Sequence, residues 1–334
     1  MSIELQVRKA AKGDCIWVRF GKETKGNIII DSGTAAKAKE FSDIIETVRE
    51  RNEAVDLLVL THIDDDHIGG FKKYIAKNDC KIIKEVWFHG SGVNAYEGIT
   101  PHSPKNAVQL SDIMKKKKMN VNNEVFKGCK RDINGAKLTV LTPEIDAVLR
   151  VGALLDDAAA GIKPHSEGIH NQDLDWLYEN DKYTRDDSLT NAASISFVFC
   201  YEGKRLAFLG DAHAEDIIKS KEELFKGVNM DMVKLPHHGS SHNNPEELIK
   251  CLACGNLIIS ANQPADKNTI ARIVHSTEKC TIYCNYTWWE GIGYFTEEDA
   301  KEYIDKEKLI IKEVEAKKAI FADEGKDIWI LRKS

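Results

Sequence analysis

Two histidines and three aspartates lie within six residues of the segment LVLTHIDDDHIGG, from His62 to His67. In an extended chain the side chains of residues 62 and 64 project to the same side. We expect Gly69-Gly70 to allow a tight turn into the next helix. Imidazoles suit zinc, iron or manganese, and carboxylates suit harder cations and can bridge two of them. The spacing predicts that four side chains converge on one or two cations: His62, Asp64, Asp66 and His67.

The same segment has a simpler interpretation as an acidic turn at the start of a helix. Aspartate is a common N-cap residue, so Asp64 to Asp66 would accept hydrogen bonds from the first amides of the following helix. This interpretation explains neither His62 nor His67.

Two further polar clusters follow apolar segments. Asp211 ends the segment LAFLGD, and the segment LPHHGSSH contains His237, His238 and His242. A Gly-Asp pair alone is an ordinary turn. Adjacent histidines point in different directions, so one would bind a metal while the other faces a substrate. Histidine and aspartate clusters at three strand ends are best explained by one centre.

Apolar segments that alternate with helical patterns would position these clusters. VDLLVLTH predicts a strand buried on both faces, and AKEFSDIIETVRERN has the apolar spacing of a helix. CIWVRF and NIIIDSG predict paired strands, and NAASISFVFCYEGKRLAFLGD predicts a hairpin. The order predicts an α/β protein of two half-sheets with helices, and a site at the strand ends.

The composition is that of a globular protein with a sizeable core. The chain has 334 residues, is 42% hydrophobic and has a formal net charge of −6. That charge gives no general basic field for nucleic acid or anionic lipid, although a local basic groove stays open. No segment approaches the roughly 18 apolar residues of a membrane span, and the N-terminus lacks a signal-peptide layout. We therefore expect a cytoplasmic protein with no membrane partner, and the sequence indicates no particular protein partner.

We predict a single domain over residues 1–334, with a polar, acidic insertion of helices and loops at residues 145–188 near the site. The insertion contains His165 and His170. Lys115 to Lys118 end a predicted helix, where cations favour the helix dipole. The alternative role for these lysines is binding phosphates in a local groove.

The eight cysteines are predicted to be reduced thiols, since nothing in the sequence indicates secretion. A structural zinc site is the less favoured alternative. It would use Cys251, Cys254, Cys280 and Cys284.

As a set, these motifs resemble the metallo-β-lactamase superfamily. The matching segments are GDCIWVRF, IIIDSG, LTHIDDDHIGG, LTVLTP, NAASISF, LAFLGD and VKLPHHGSSH. The common superfamily motif is His-x-His-x-Asp-His. Asp64 replaces its second histidine, as in the ComEC/Rec2-like branch of stand-alone hydrolases, so the chain resembles that branch more narrowly. The resemblance implies a four-layer αββα sandwich.

The resemblance also implies a role for each motif residue and a cofactor of two divalent cations, Zn or Mn. His62 and Asp64 would bind the first cation, and Asp66 and His67 the second. Asp211 would bridge the two, and His237 would complete the set.

Other residues are expected around this set. Asp31 would orient the histidine loop, and Asn191 and Ser194 would line the site. The late His-Pro of the ComEC/Rec2-like branch is replaced by QPADKNT, so Lys267 is expected in that region. Substitution of the missing third-motif histidine of the wider superfamily by His165 or His170 is the less favoured alternative, since loop histidines are usually solvated.

The expected activity is that of a phosphodiesterase or nuclease. Two cations would share a hydroxide whose pKa is lowered toward neutrality. Asp66 would orient this nucleophile, and His238 or Lys267 would assist the leaving group. The partner would be a nucleic acid or nucleotide substrate, although the negative net charge disfavours long duplex DNA. The alternatives are a hydrolase of a small ester, amide or thioester, and a non-catalytic subunit that binds a protein partner.

Overall fold

The computed structural model describes residues 3–90, 105–154, 171–291, 293–315, 318–322 and 329–333. The strands are β1 Ile3–Val7, β2 Ile16–Phe20, β3 Gly26–Ile30, β4 Leu57–Val59, β5 Val86–Trp87, β6 Val121–Asn122, β7 Lys130–Ile133, β8 Ala136–Thr142, β9 Ser196–Tyr201, β10 Lys204–Phe208, β11 Met232–Lys234, β12 Asn256–Ile259, β13 Cys280–Cys284, β14 Leu309–Glu313, β15 Lys318–Ala322 and β16 Trp329–Lys333.

The described helices are α1 Ala38–Glu50, α2 Asp65–Ile75, α3 Lys105–Lys116, α4 Ile145–Leu154, α5 Leu174–Glu179, α6 Leu189–Ala192, α7 Ala214–Leu224, α8 Glu246–Leu252, α9 Lys267–Ser276 and α10 Glu297–Asp299. Short 3₁₀ turns occur at Ala35–Lys37, Pro236–Gly239 and Trp288–Glu290, and one π turn follows α10 at Ala300–Ile304. None of the helices in the described ranges is long and apolar enough to cross a membrane.

The strands form two sheets. Within the described residues, the first sheet has the order β16-β15-β1-β2-β3-β4-β5-β6, and the second has the order β14-β13-β12-β11-β10-β9-β8-β7. Strands β3, β4 and β5 are parallel to one another, as are β10 to β14. The carboxyl ends of these parallel strands are where the polar motifs begin.

Three apolar cores separate four layers. Leu5 and Phe20 of the first sheet pack between the sheets with Phe197 and Phe199 of the second, and the rings of Phe20 and Phe199 are 5.0 Å apart. A second core joins the other face of the first sheet to α1, α2 and α3. A third joins the other face of the second sheet to α7, α8 and α9. The predicted αββα sandwich is therefore confirmed.

The strands are apolar on both faces because both faces are covered. In β4, Leu57 and Val59 face the core between the sheets, and Leu58 faces the helices. Successive side chains of a strand point to opposite faces, so this arrangement requires a continuous apolar segment.

The two predicted sheets are present, but they do not correspond to the two halves of the chain. Strands β7 and β8 of the first half belong to the second sheet, and β15 and β16 of the C-terminus return to the first sheet. There Leu5 of β1 pairs with Ile320 of β15. Sheet membership depends on pairing between strands that are far apart in sequence, and local apolar patterns do not encode this pairing.

The prediction of a single domain with an insertion at residues 145–188 stays a prediction. The structure describes residues 145–154 of this segment, which form α4, and residues 171–188, which include α5. His165 and His170 lie outside the described residues. The cysteines are free thiols, and Cys254, Cys280 and Cys284 belong to the third core.

Candidate metal centre

Polar residues of both sheets meet at the carboxyl ends of parallel strands. Asp31 follows β3 and His62 lies just beyond β4, whereas Asp211 follows β10 and His237 follows β11. The carboxyl ends of parallel strands are the usual place for a ligand site in an open α/β sheet. The second sheet thus supplies donors that the first-sheet motif lacks.

Helix α2 begins at Asp65, so Asp66 and His67 lie in its first turn. Gly69 and Gly70 are inside this helix, and the prediction that they form the turn before it is wrong. A Cβ atom on Gly70 would lie 2.0 Å from the backbone oxygen of Ser32, and one on Gly69 would lie 2.7 Å from the backbone nitrogen of Ala35. The glycines let α2 approach the segment after β3, which brings His67 to Asp31.

Asp64 occupies the N-cap position of α2, but its side chain accepts no hydrogen bond from the helix amides. Its Oδ2 lies 3.6 Å from His62 Nε2 and accepts a long hydrogen bond of 3.4 Å from Thr190 Oγ1. The carboxylate therefore faces the histidine instead of capping the helix, which disfavours the simpler interpretation as an acidic turn.

Four imidazoles surround one carboxylate oxygen. Asp211 Oδ2 lies 3.5 to 3.9 Å from the Nε2 atoms of His62, His67, His237 and His238. These separations are long for hydrogen bonds. They leave room for cations between the nitrogens and the oxygen. His238, which we predicted beside the leaving group, therefore lies as near to Asp211 as the predicted ligands do.

Asp31 sets the hydrogen positions of both first-sheet histidines. His67 Nδ1 donates to Asp31 Oδ2 at 2.8 Å, since a carboxylate can only accept. Thr61 Oγ1 donates to the same oxygen at 2.8 Å. That hydroxyl has no second proton, so His62 Nδ1 donates to it across 3.0 Å. Both Nε2 atoms are consequently left without a proton in the neutral imidazoles, as metal binding requires.

The two second-sheet histidines are held in the same tautomer. His238 Nδ1 donates to the carbonyl oxygen of Ser260 at 2.7 Å, and His237 Nδ1 donates to Asn243 Oδ1 at 2.8 Å. The orientation of the Asn243 amide follows from its Nδ2, which donates to Asp186 Oδ2 at 2.9 Å. Each Nε2 therefore presents a lone pair toward Asp211.

The turn that presents these histidines has an unusual backbone. His237 has a φ of 46° and His238 a φ of 56°. The left-handed region costs a non-glycine residue about 1–2 kcal/mol. Two such residues in succession indicate that the surrounding structure enforces the geometry, as is typical of functional sites.

The buried donors fit a metal centre. Among the described residues, the Nε2 atoms of His62, His67 and His238 are buried without a hydrogen-bond partner. Native proteins rarely leave such atoms unsatisfied. Candidate donor atoms of His62, His67 and Asp211 lie within 4.8 Å of one another, as do those of Asp66, His67 and His238. These groups suit divalent transition metals with mixed nitrogen and oxygen ligands.

The carboxylates and imidazoles of the centre shift one another's pKa. Burial raises the pKa of Asp211, but the surrounding histidines, His238 first, outweigh it and hold that pKa well below its ordinary value. Burial lowers the pKa of His67, but the Asp211 and Asp31 carboxylates outweigh it and raise that pKa well above its ordinary value. These opposite charges therefore favour the ionised form of Asp211 and the protonated form of His67.

Asn191 and Ser194 lie beside the donors. Asn191 Nδ2 donates to Asp186 Oδ2 at 2.7 Å and is 3.4 Å from His237 Nδ1. Ser194 Oγ accepts a hydrogen bond of 3.1 Å from the backbone nitrogen of Asp211. Both therefore contact residues that hold the donors.

Lys267 is not part of this group. It is fully buried at the start of α9, where its Nζ lies 2.7 Å from Asp299 Oδ2 and donates to the carbonyl oxygen of Gln172. This corrects the prediction that Lys267 assists the leaving group, because its ammonium is already paired. The partner of Lys267 is Asp299, which is distant in the sequence, so the local pattern gave no indication of this pair.

Two other predicted groups have different surroundings. His242 Nδ1 lies 2.7 Å from the carbonyl oxygen of Thr184, so His242 joins the 171–188 segment to the histidine turn. Lys115 to Lys118 are exposed at the end of α3, and Lys117 Nζ donates to the carbonyl oxygen of Asn78.

Sequence reasoning missed Asp14, Asp186, Lys234 and Asn243. Asp186 Oδ2 lies 3.5 Å from His237 Nδ1, and Asp14 and Lys234 form a buried ion pair beside Asp211. Asp14 and Lys234 lie inside the matching segments GDCIWVRF and VKLPHHGSSH, so the resemblance could have drawn attention to them. Asp186 is one of many acidic residues in its segment, and nothing in its local sequence distinguishes it.

A family model described as "Metallo-beta-lactamase superfamily" matches residues 9–105, which include Asp31 and the His62–His67 motif. Together with the two sheets between helical layers, this match decides the fold. The chain has the metallo-β-lactamase fold. A search of curated proteins found no match.

Solved structures with the metallo-β-lactamase fold are among the similar proteins. YhfI from Bacillus subtilis, a metallo-beta-lactamase fold protein, is 9% identical with a TM-score of 0.43, over 85% of this chain and 96% of that one. A diphosphatase from the PhnP family is 11% identical with a TM-score of 0.40, over 93% and 95%. CmlA, a diiron β-hydroxylase from Streptomyces venezuelae, is 12% identical with a TM-score of 0.39, over 93% of this chain and 53% of that one. This chain thus spans about half the length of CmlA.

Proposed function

We propose that this protein is a metal-dependent hydrolase that uses two divalent cations, Zn or Mn, to cleave phosphodiester bonds. The observation that supports it best is the convergence of four imidazole Nε2 atoms on Asp211 Oδ2, three of them buried without a hydrogen-bond partner in the described part of the chain. A purely structural cluster would satisfy these nitrogens with hydrogen bonds.

We assign the donors to two sets, each of which would hold one ion, with Asp211 beside both. His62 and Asp64 would hold one ion, because their donor atoms are 3.6 Å apart. Asp66, His67 and His238 would hold the other, because their donor atoms cluster within 4.8 Å. His237 completes the ring around Asp211. When bound, the cations would supply an activated water at neutral pH and positive charge for the developing oxyanion.

The protein's own residues would position the reaction. Asp66 is partly exposed, and Lys12 Nζ lies 3.9 Å from its Oδ2. Its exposure supports our proposal that Asp66 orients the attacking water. The placement of His238 among the donors favours a ligand role over the predicted role beside the leaving group. Asp186, through Asn191 and Asn243, holds His237 in position.

Three carboxylates among the donors support phosphodiester chemistry. Asp64, Asp66 and Asp211 give the centre an oxygen-rich character that accommodates manganese as well as zinc. The Asp64 replacement is also the feature that the chain shares with the ComEC/Rec2-like branch. We therefore propose a nuclease or nucleotide diesterase of that branch, with a small oligonucleotide or nucleotide as substrate.

One paired experiment tests this proposal. Metal bound to the purified protein is measured by elemental analysis, and hydrolysis of bis(p-nitrophenyl) phosphate, oligonucleotides and cyclic dinucleotides is measured with added Mn²⁺ or Zn²⁺. We expect bound metal and metal-dependent cleavage of at least one phosphodiester. The variants His62→Ala and Asp66→Ala should lose most of this activity.

Other outcomes would exclude the proposal. Hydrolysis of p-nitrophenyl acetate without any phosphodiester cleavage would favour the small-ester alternative. A protein that binds metal but cleaves neither class would favour the non-catalytic alternative. Full activity in the His62→Ala variant would contradict the assigned site.

A further inference from the structure

A lysine and an aspartate form an ion pair inside the protein, next to the candidate metal centre. Lys234 is the last residue of β11 in the second sheet, and Asp14 lies in the loop between β1 and β2 of the first sheet. Lys234 Nζ contacts Asp14 Oδ2, and both side chains are at most 2% exposed. The pair therefore joins the two sheets where both supply metal donors.

Lys234 lies next to the carboxylate of Asp211. Its Nζ donates to the carbonyl oxygen of Gly210 at 3.0 Å and lies 3.8 Å from Asp211 Oδ1. The other oxygen of Asp211, Oδ2, faces the four imidazoles. The ammonium thus lies on the Oδ1 side of the carboxylate, and Oδ2 lies on the side of the candidate centre.

Asp14 lies next to the first-sheet loops and to the turn that presents His237 and His238. Its backbone oxygen accepts a hydrogen bond of 2.7 Å from Gly33, and its Oδ1 lies 3.7 Å from His238 Nδ1. The neighbouring Gly13 packs so closely on Asp66 that a Cβ atom would lie 1.7 Å from the Asp66 backbone oxygen. The loop that holds Asp14 is therefore in contact with the donor segment.

We propose that Asp14 and Lys234 are positioning residues, which hold Asp211 and His238 in the geometry that binds the second cation. Buried ion pairs contribute little to stability relative to apolar residues of the same volume, so stability alone gives no reason for this pair to lie here. The inference rests on the proposed metal-dependent function.

The test removes both charges together. In Asp14→Asn/Lys234→Met no unpaired charge is left inside the protein. Affinity for Mn²⁺ and Zn²⁺ is measured by competition with a chelator, and the visible absorption of the Co²⁺-loaded protein reports ligand geometry. We expect the affinity for the cation assigned to Asp66, His67 and His238 to fall about 10- to 100-fold, as for residues that orient metal ligands. The Co²⁺ bands should shift, while circular dichroism remains that of the wild type.

A second buried pair is the matched control. Lys267 and Asp299 are also fully buried and 2.7 Å apart, and their other partners include Gln172 and Leu174, not the donors. Lys267→Met/Asp299→Asn should change the melting temperature about as much as the first double variant does, yet keep wild-type metal affinity.

Each outcome decides the inference. Unchanged metal affinity and Co²⁺ spectrum in a folded Asp14→Asn/Lys234→Met variant overturn it, even if the wild type cleaves phosphodiesters. If that variant does not fold, Asp14→Asn/Lys234→Gln is used, which also leaves no unpaired charge; a loss of affinity supports the inference and unchanged affinity overturns it. A wild-type protein that binds metal but cleaves no phosphodiester defeats the proposed function and leaves this test intact. A wild-type protein that binds no cation overturns both.

Discussion

Asp31 Oδ2 accepts a hydrogen bond of 2.8 Å from His67 Nδ1, and through Thr61 it also fixes the ring of His62. One buried carboxylate therefore aims two imidazoles, although it lies outside the ring of donors around Asp211. Replacing the carboxylate by an amide keeps its shape and removes its charge.

Asp31→Asn should weaken metal binding by about 10- to 100-fold, because both histidines lose the acceptor that orients them. The backbone should tolerate the change, since Asp31 has a φ of 55° and asparagine is accepted in this region. Chelator competition measures the affinity. Asp56→Asn is the control, because Asp56 is a largely buried carboxylate of the same sheet that pairs with Lys84. Equal affinities for both variants would contradict the role of Asp31.

His238→Ala should remove a metal donor, whereas His242→Ala should not. His238 Nε2 is 3.6 Å from Asp211 Oδ2, but His242 is bonded to Thr184. We expect the His238 variant to bind fewer than two cations per chain and the His242 variant to bind as many as the wild type. Elemental analysis after dialysis measures both. A His238→Ala variant with full metal content would instead favour the original prediction that His238 assists the leaving group.

Gly70→Ala should destabilise the protein, although alanine favours helices. Propensity alone would stabilise α2 by about 1 kcal/mol. A Cβ atom there would lie 2.0 Å from the Ser32 backbone oxygen, and such overpacking typically costs about 1–3 kcal/mol. Urea unfolding gives the sign of the change. An increase in the free energy of unfolding would show that α2 does not need this close approach.

The buried imidazole of His89 should make stability depend on pH. Burial lowers its pKa from 6.5 to about 4, so the unfolded chain takes up a proton first as the pH falls. Stability is then lost progressively from pH 6.5 toward pH 4. Between pH 7 and pH 5 this group should account for about 2 kcal/mol of lost stability.

His89→Phe should remove that contribution and retain the stacking on Phe126, whose ring lies 5.4 Å away. Urea unfolding at pH 7 and pH 5 compares the two proteins. The same loss of stability in both would indicate that His89 is not the responsible group.

Much of the fold was predictable because central strands such as β3, β4 and β9 are apolar on both faces, and several strands are followed by a polar motif. The hairpin of β9 and β10 and the helices α1 and α7 follow from local spacing. The return of β15 and β16 to the first sheet was not predictable, because it depends on pairing with β1 across the whole chain.

The donors of the candidate site were also visible in the sequence, since His62, His67, Asp211 and His237 stand in recognisable motifs. The residues that hold these donors in position were not visible in the sequence. In the sequence, Lys234 and Asp14 are ordinary charged residues, and only the packing of the two sheets brings them into contact. Gly69 and Gly70 predict a turn in the sequence, but in the structure they let α2 pack on the segment after β3. Tertiary contacts, which no local pattern specifies, decide the roles of these residues.

Anomalous scattering from crystals of the Mn²⁺-loaded protein tests the central claim most directly. We predict two strong peaks on opposite sides of Asp211 Oδ2, one next to His62 and Asp64 and the other next to His67 and His238. No peak within coordination distance of Asp211, with manganese present in the crystals, would contradict the proposed two-cation centre.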